Sequence, residues 1–335
     1  MSELAKRVLT SLVGIPIVLL FLFIPNGLWW ALFVTLLAFL CIGELASVWE
    51  QCNPGSQINP MIALIGALLP LDAWFRMNNM MFVERYETLV GTLLILSAIG
   101  YEVWIADRTG HPSAWKNIGS AAMITLYVGV LFRLWVLLHG ASLQVGSQPA
   151  VAGHWVVLLV FLSIWASDTF AYFGGKRFGR RRLSPHLSPR KSWEGAYAGC
   201  IGAVIIAVAA SLVMQSSVWP TPVLISWPLA AIIGLLASIA GVVGDLFESS
   251  LKREIGVKDS GNLLPGHGGI LDRFDSLMLA PFATATTSTG DYHGNYYSIG
   301  YIDDYGALKK VDVQCAGTAQ CSLTERKIEK DAQSR

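Results

Sequence analysis

A chain of 335 residues that is 53% hydrophobic and only 14% charged, with a mean hydropathy of +0.52, is not an ordinary soluble domain, where about a quarter of residues carry charge. Its formal net charge of +1 says little by itself, and no nucleic-acid partner is expected. The five cysteines (Cys41, Cys52, Cys200, Cys315 and Cys321) form neither a CxxC pair nor a Cys/His cluster, which argues against a disulfide framework or a zinc site.

Apolar stretches lie at about 8–24, 27–48, 58–75, 88–106, 119–138, 154–174, 194–214 and 227–247. Each approaches the roughly 20 residues that cross a bilayer. Lipid leaves no partner for an unpaired backbone group, and no barrel-like alternation is visible, so the predicted fold is an all-α polytopic integral membrane protein with about eight spans. The first stretch follows Lys6 and Arg7 without a small-residue cleavage site after it, and reads as an uncleaved span. A ninth stretch begins at Ser276 and stops after about a dozen residues, too short to cross. Past it the chain turns rich in Gly, Thr, Ser, Tyr, Asp and Lys. The expected organisation is a transmembrane domain over 1–280 and a polar tail over 281–335 without stable order.

With the N-terminus inside, the cytoplasmic stretches hold Lys6, Arg7, Arg108, Lys116, Lys176, Arg177, Arg180, Arg181, Arg182, Arg190, Lys191, Lys252, Arg253, Lys258 and Arg273. The opposite side holds only Arg76 and Arg85, a strong positive-inside bias. It puts the charged loops 175–193 and 248–275 in the cytoplasm.

Five ionisable residues sit within or at the edge of apolar stretches: Glu44, Glu102, Arg133, Asp168 and Asp245. Intramembrane charge is costly and calls for a partner or a task. For Glu44 and Glu102, an end-of-span charge reaching water is as good a reading as a functional one, and Arg133 is expected to snorkel toward the far surface. Asp168 and Asp245 run directly into basic loops and read as functional.

The first of these loops carries seven bases within the sixteen residues from Lys176 to Lys191. Arg180 to Arg182 fit a topology anchor. Gly174-Gly175-Lys176 and the run Ser188 to Glu194 instead mix backbone freedom, hydroxyls and bases, as an anion site requires. In the second loop, Asp245, Ser249 and Lys252 share a helical face, as do Asp272 and Asp275. Three aspartates beside Lys252, Arg253, Lys258 and Arg273 resemble a magnesium–phosphate site, while Gly266, Gly268 and Gly269 let backbone approach a ligand. His267 reads equally as a general base, a phosphate donor or a turn residue. An ion or anion transporter would also hold intramembrane carboxylates, but near the midplane and on broken helices; here they cluster at one end.

The run Ser249-x-Leu251-Lys252-Arg253-x4-Lys258-Asp259-x-Gly261-x2-Leu264-Pro265-x-His267-Gly268-Gly269-Ile270-x-Asp272-Arg273-Phe274-Asp275 resembles, without departure, the signature of the phosphatidate cytidylyltransferases, or CDP-diacylglycerol synthases. The resemblance extends over roughly residues 1–280. Family members usually add one more apolar helix after the signature, where this chain turns polar. The resemblance implies transfer of CMP from CTP to phosphatidic acid, giving CDP-diacylglycerol and pyrophosphate, with Mg2+ as cofactor and K+ as a second cation. It makes Asp245, Asp272 and Asp275 the metal carboxylates. Lys252, Arg253 and Arg273 become phosphate contacts, and His267 a further catalytic candidate. Asp168, Lys176, Ser188, Lys191, Ser192 and Glu194 would line the pocket, with Ser249, Lys258, Gly268 and Gly269 as additional substrate contacts. It also implies a homodimer in the lipid bilayer of a bacterial inner membrane. A polyprenol-type lipid kinase is the nearest alternative, distinguished by releasing CDP rather than pyrophosphate.

Overall fold

The computed structural model describes residues 3–53, 56–78, 81–110, 114–143, 151–216, 225–257, 260–261, 268–281, 296–302, 308–316 and 320–324. The chain divides into two compact units, Met1–Ser288 and Thr289–Arg335. In the first, the described residues form α1 (Glu3–Phe23), α2 (Leu28–Cys52), α3 (Pro60–Met77), α4 (Met81–Thr109) and α5 (Ala114–Ile124). A π-helical turn, Thr125–Val130, joins α5 to α6 (Leu131–Gly140). Then come the paired two-residue strands β1 (Ser142–Leu143) and β2 (Val151–Ala152), α7 (Gly153–Phe178), the hairpin of β3 (Arg182–Ser184) and β4 (Ser188–Ser192), α8 (Trp193–Gln215), α9 (Trp227–Ile255) and α10 (Leu271–Met278).

Each of the eight predicted apolar stretches is helical. Six helical rods meet the length and composition for crossing a membrane among the described residues: α2, α3, the composite Ala114–Gly140, α7, α8 and α9. Helix α1 contributes a shorter apolar stretch, Leu12–Phe23, and α4 carries six charged residues. The ninth stretch is realised as α10, whose eight residues cannot cross. The second unit is an antiparallel sheet of β5 (Tyr296–Ile302), β6 (Leu308–Ala316) and β7 (Gln320–Thr324), in that order.

Without water to drive helices together, close backbone packing and internal polar pairing hold a membrane bundle. Both are present. A Cβ on Gly199 of α8 would lie 3.0 Å from the Ser167 carbonyl oxygen of α7, so glycine eases that close approach. The hydroxyls of Ser167 and Ser238 meet at 2.6 Å, tying α7 to α9. The π-helical turn packs on α3, where a Cβ on Gly129 would lie 2.5 Å from the Gly66 carbonyl oxygen and Thr125 Oγ1 donates to Ile62 O at 3.0 Å.

Glu102 does not reach water. It is buried, and its two oxygens accept from Asn59 Nδ2 at 2.9 Å and Asn117 Nδ2 at 3.0 Å, which links α4 to the start of α3 and to α5. Asn59 in turn caps α3, its Oδ1 accepting from Met61 N at 3.1 Å and Ile62 N at 3.4 Å, with Pro60 preset for the first helical position. Arg133 has a partner on a neighbouring helix. Its guanidinium lies 3.2 Å from Asp72, which also accepts from Arg76 Nε at 2.9 Å.

Removing one partner of a buried network strands the other groups, at about 1–3 kcal/mol each. Glu102→Leu is therefore predicted to lower the thermal midpoint of the detergent-purified protein. A midpoint equal to wild type would show that the Asn59–Glu102–Asn117 network contributes nothing to stability.

Candidate active site

A cavity of about 600 Å³ opens where α7, α8, α9, α10 and the β3–β4 hairpin converge, within the size range of small-ligand pockets. Asp168, Lys176, Arg182, Arg190, Lys191, Ser192 and Asp245 are among its lining residues. Asp168 lies three turns from the C-terminal end of α7, and the bases arrive from the last turn of that helix and from the hairpin. Ser192 caps α8, its Oγ accepting from Gly195 N at 3.2 Å, and this fixes how β4 turns into the helix. Helix α10 is held against α9 by another close approach: a Cβ on Gly244 would lie 2.6 Å from the Asp275 carbonyl oxygen. That contact brings Asp275 beside Asp245.

Asp168, Asp245 and Asp275 stand close enough to repel one another. Burial, then the charge of Asp245, push the Asp275 carboxyl above the ordinary carboxylate range. Lys191 Nζ forms an ion pair with Asp245, and Ser249 Oγ donates to Asp245 Oδ1 at 3.4 Å from the next helical turn.

Asp272 is placed differently. Its Oδ1 accepts from Lys252 Nζ at 2.7 Å, and its Oδ2 from Ser260 N at 2.9 Å and Gly269 N at 2.8 Å. Burial raises this carboxyl, but the ammonium and the two backbone amides outweigh it and hold it below its usual range. Lys252 also lies 3.3 Å from Glu248, one turn earlier, whose side chain is 0% exposed. Lys252 thus clamps the loop to α9, and α9 itself ends in a Schellman motif at Gly256, with φ of 81° and Val257 N bonded to Lys252 O.

The three expected metal carboxylates therefore do not form one cluster. Among the described residues, no group of three or more His, Cys, Asp or Glu is arranged to hold a metal ion. The lone pairs of Asp272 are taken by a lysine and two amides. Asp245 and Asp275, with Asp168 nearby, fit the one or two carboxylates that Mg2+ takes alongside water and phosphate, because their mutual repulsion is what a cation relieves.

Other predicted residues separate as well. Glu194 faces a distinct shallow cavity of about 450 Å³ with Arg180, Arg181, Trp193 and Tyr197, and accepts from the backbone N–H groups of Arg180 at 3.0 Å and Arg181 at 3.2 Å. It orders the loop rather than lining the larger cavity. Ser188 pairs with Ser184 in the hairpin. Arg253 and Arg273 are exposed, and Arg253 donates to Val257 O at 3.4 Å. Gly268 has φ of 79°, a backbone conformation suited to glycine, and the Gly269 amide is used by Asp272. Lys258 and His267 lie outside the described residues.

Two acidic residues escaped the candidate set. Glu248 stands between Asp245 and Lys252 on α9, and its signal was its spacing, four residues before Lys252. Glu44 of α2 is 6% exposed and accepts from Ile270 N at 2.9 Å and Leu271 N at 3.1 Å, at the start of α10. Its only sequence signal was a charge within an apolar stretch.

The family model described as the cytidylyltransferase family matches residues 5–288, ending where the first compact unit ends. The chain belongs to the cytidylyltransferase family. It is 32% identical over 287 residues to the phosphatidate cytidylyltransferase of Pseudomonas aeruginosa, covering 83% of this chain and 94% of the relative. Similarity to the phosphatidate cytidylyltransferase of Bacillus subtilis is 31% over 287 residues, covering 84% and 97%. Phosphatidate cytidylyltransferase 5, chloroplastic, of Arabidopsis thaliana is 42% identical over 240 residues, 67% of this chain and 55% of that protein. In this cytidylyltransferase, Lys252→Met strands both Asp272 and Glu248. The predicted outcome is a fall in CMP-transfer turnover of about tenfold or more, in keeping with a buried ion pair broken on one side. Turnover equal to wild type would show that the clamp is dispensable.

Proposed function

We propose that the chain is a phosphatidate cytidylyltransferase that transfers CMP from CTP to phosphatidic acid, releasing pyrophosphate and forming CDP-diacylglycerol. Family membership supports the reading, and the observation that carries it is the cavity itself. Carboxylates Asp168 and Asp245 line it with the bases Lys176, Arg182, Arg190 and Lys191 at the end of long apolar helices, and Asp275 stands next to the lining residue Ser276, on the α9 face that carries Asp245. Phosphoryl and nucleotidyl chemistry between two anions needs such a mixture, because the main barrier is their repulsion and misalignment.

In this reading the triphosphate of CTP lies against Lys176, Arg182, Arg190 and Lys191. Asp245 and Asp275 would hold Mg2+, which when bound neutralises phosphate oxygens and polarises the reacting phosphorus. A phosphate oxygen of phosphatidic acid attacks the α-phosphorus of CTP. One P–O bond forms, the bond to the β-phosphate breaks, and pyrophosphate carries off the electron pair. The attacking oxygen is already ionised near neutral pH, so the chain need not supply a strong general base. The bases then serve alignment and charge balance, and Lys191, already paired with Asp245, joins the nucleotide side to the carboxylates. The acyl chains stay in lipid beside α7, α8 and α9. Placement in a bacterial inner membrane, with the cavity facing the cytoplasm, is supported by the concentration of bases in loops 175–193 and 248–275.

Purified protein supplied with CTP, Mg2+ and phosphatidic acid should release pyrophosphate and form CDP-diacylglycerol; release of CDP with a phosphorylated lipid would indicate a lipid kinase instead. Asp275→Asn is predicted to abolish CMP transfer while leaving membrane insertion intact, and near-normal turnover would overturn the assignment of this carboxylate. Lys191→Met is predicted to raise the KM for CTP by about tenfold, the scale of one charge-assisted contact, and an unchanged KM would remove Lys191 from the nucleotide site.

A further inference from the structure

Glu44 belongs to α2, which contributes no lining residue to the 600 Å³ cavity, yet it meets four residues of the signature run. Its two oxygens accept separately from Ile270 N and Leu271 N, the amides that open α10. These are among the N–H groups that a helix cannot satisfy internally, and a carboxylate at that end also meets the positive pole of the helix. On its other sides the same carboxylate fills the space where two loop glycines lack side chains. A Cβ on Gly261 would lie 2.9 Å from Glu44 Oε1, and one on Gly269 would lie 2.5 Å from Oε2. Gly261 and Gly269 to Leu271 thus pack around a side chain that precedes them by more than two hundred residues.

Helix α10 carries Asp272 and Asp275. The amides that Glu44 holds come immediately before and at the start of that helix, so the carboxylate ties the first turn of α10 to α2. In that turn Asp272 bonds Lys252, and the Asp275 main chain packs on Gly244, next to Asp245.

We infer that Glu44 is a positioning residue for nucleotidyl transfer: by anchoring the first amides of α10 and seating Gly261 and Gly269, it sets Asp275 against Asp245 in the reacting geometry. The inference rests on the cytidylyltransferase reading above, and the assignment of Gly269 shifts with it: the absent side chain at that position makes room for the Ser260 hydroxyl and the Glu44 carboxylate.

The test is steady-state kinetics on the full chain purified in detergent, with thermal unfolding measured in parallel. Glu44→Gln keeps the shape but offers an amide N–H toward a backbone donor. It should lower kcat by about tenfold to a hundredfold, the cost of misplacing reacting groups by an ångström, with KM for CTP changed by less than about threefold. A kcat within about threefold of wild type would overturn the proposal, and so would a loss of turnover that matches the loss of folded protein. A double-mutant cycle reads the same contact where Glu44→Gln folds poorly. Gly261→Ala pushes against the Glu44 carboxylate, so it should impair wild type yet have little further effect beside Glu44→Ala, where the space is open. Independent, multiplicative losses would overturn the proposal. If wild type itself releases no pyrophosphate from CTP and phosphatidic acid, the activity reading fails; if wild type is active and Glu44→Gln is equally active, only the positioning role fails.

Discussion

Lys252 and Asp272, 2.7 Å apart, hold together two pieces of chain that apolar burial alone would leave apart. Both are largely shielded from water and sit among other charged groups. Lys252 lies against the fully buried Glu248, and Asp272 satisfies two backbone amides of the loop that leads into α10. A pair of this kind adds little net stability over a well-packed apolar one, but it is exacting about geometry. Its consequence is that Ser260, Gly269 and the first turn of α10 are tied to α9 through one carboxylate.

The remaining constraint comes from backbone rather than side chains. Helices α7, α8 and α9 meet through glycine and serine, and α10 rests on Gly244 of α9. Main chain against main chain leaves little freedom to slide, so Asp168, Asp245 and Asp275, from three different helices, arrive in one place as part of a stiff frame. The bases come from a short hairpin and the last turn of α7, and are the more adaptable half of the cavity. A rigid acidic floor under a basic rim suits a reaction whose metal-binding side must be fixed and whose polyphosphate side must admit and release a ligand.

The helical membrane architecture was legible because lipid makes hydrophobic length nearly equivalent to structure. The adjacency of Asp245 and Ser249 followed from helical spacing, and the signature run pointed to the chemistry. Spacing could not show how lone pairs are distributed. Asp272 and Asp275 lie three apart on one helix, but Ser260 N, Gly269 N and Lys252 occupy the first and not the second. Glu194 sits amid bases in the sequence, yet its oxygens go to the amides of Arg180 and Arg181. Glu44 and Glu102 were ambiguous for a simpler reason. An acidic residue near the end of an apolar stretch meets either water or a buried donor, and the donors here (Ile270 N and Leu271 N, Asn59 and Asn117) come from distant parts of the chain.

At the other extreme of the bundle, Arg133 is bound to Asp72 on α3. An isolated arginine is among the least readily inserted side chains, whereas one that finds a carboxylate on a neighbouring helix has its charge partly offset. Helix α3 leaves the ribosome before α6, so the carboxylate is already in place when the arginine emerges. Arg133 on α6 therefore meets a counter-charge on a helix made earlier, which lowers the cost of placing that arginine in the bundle.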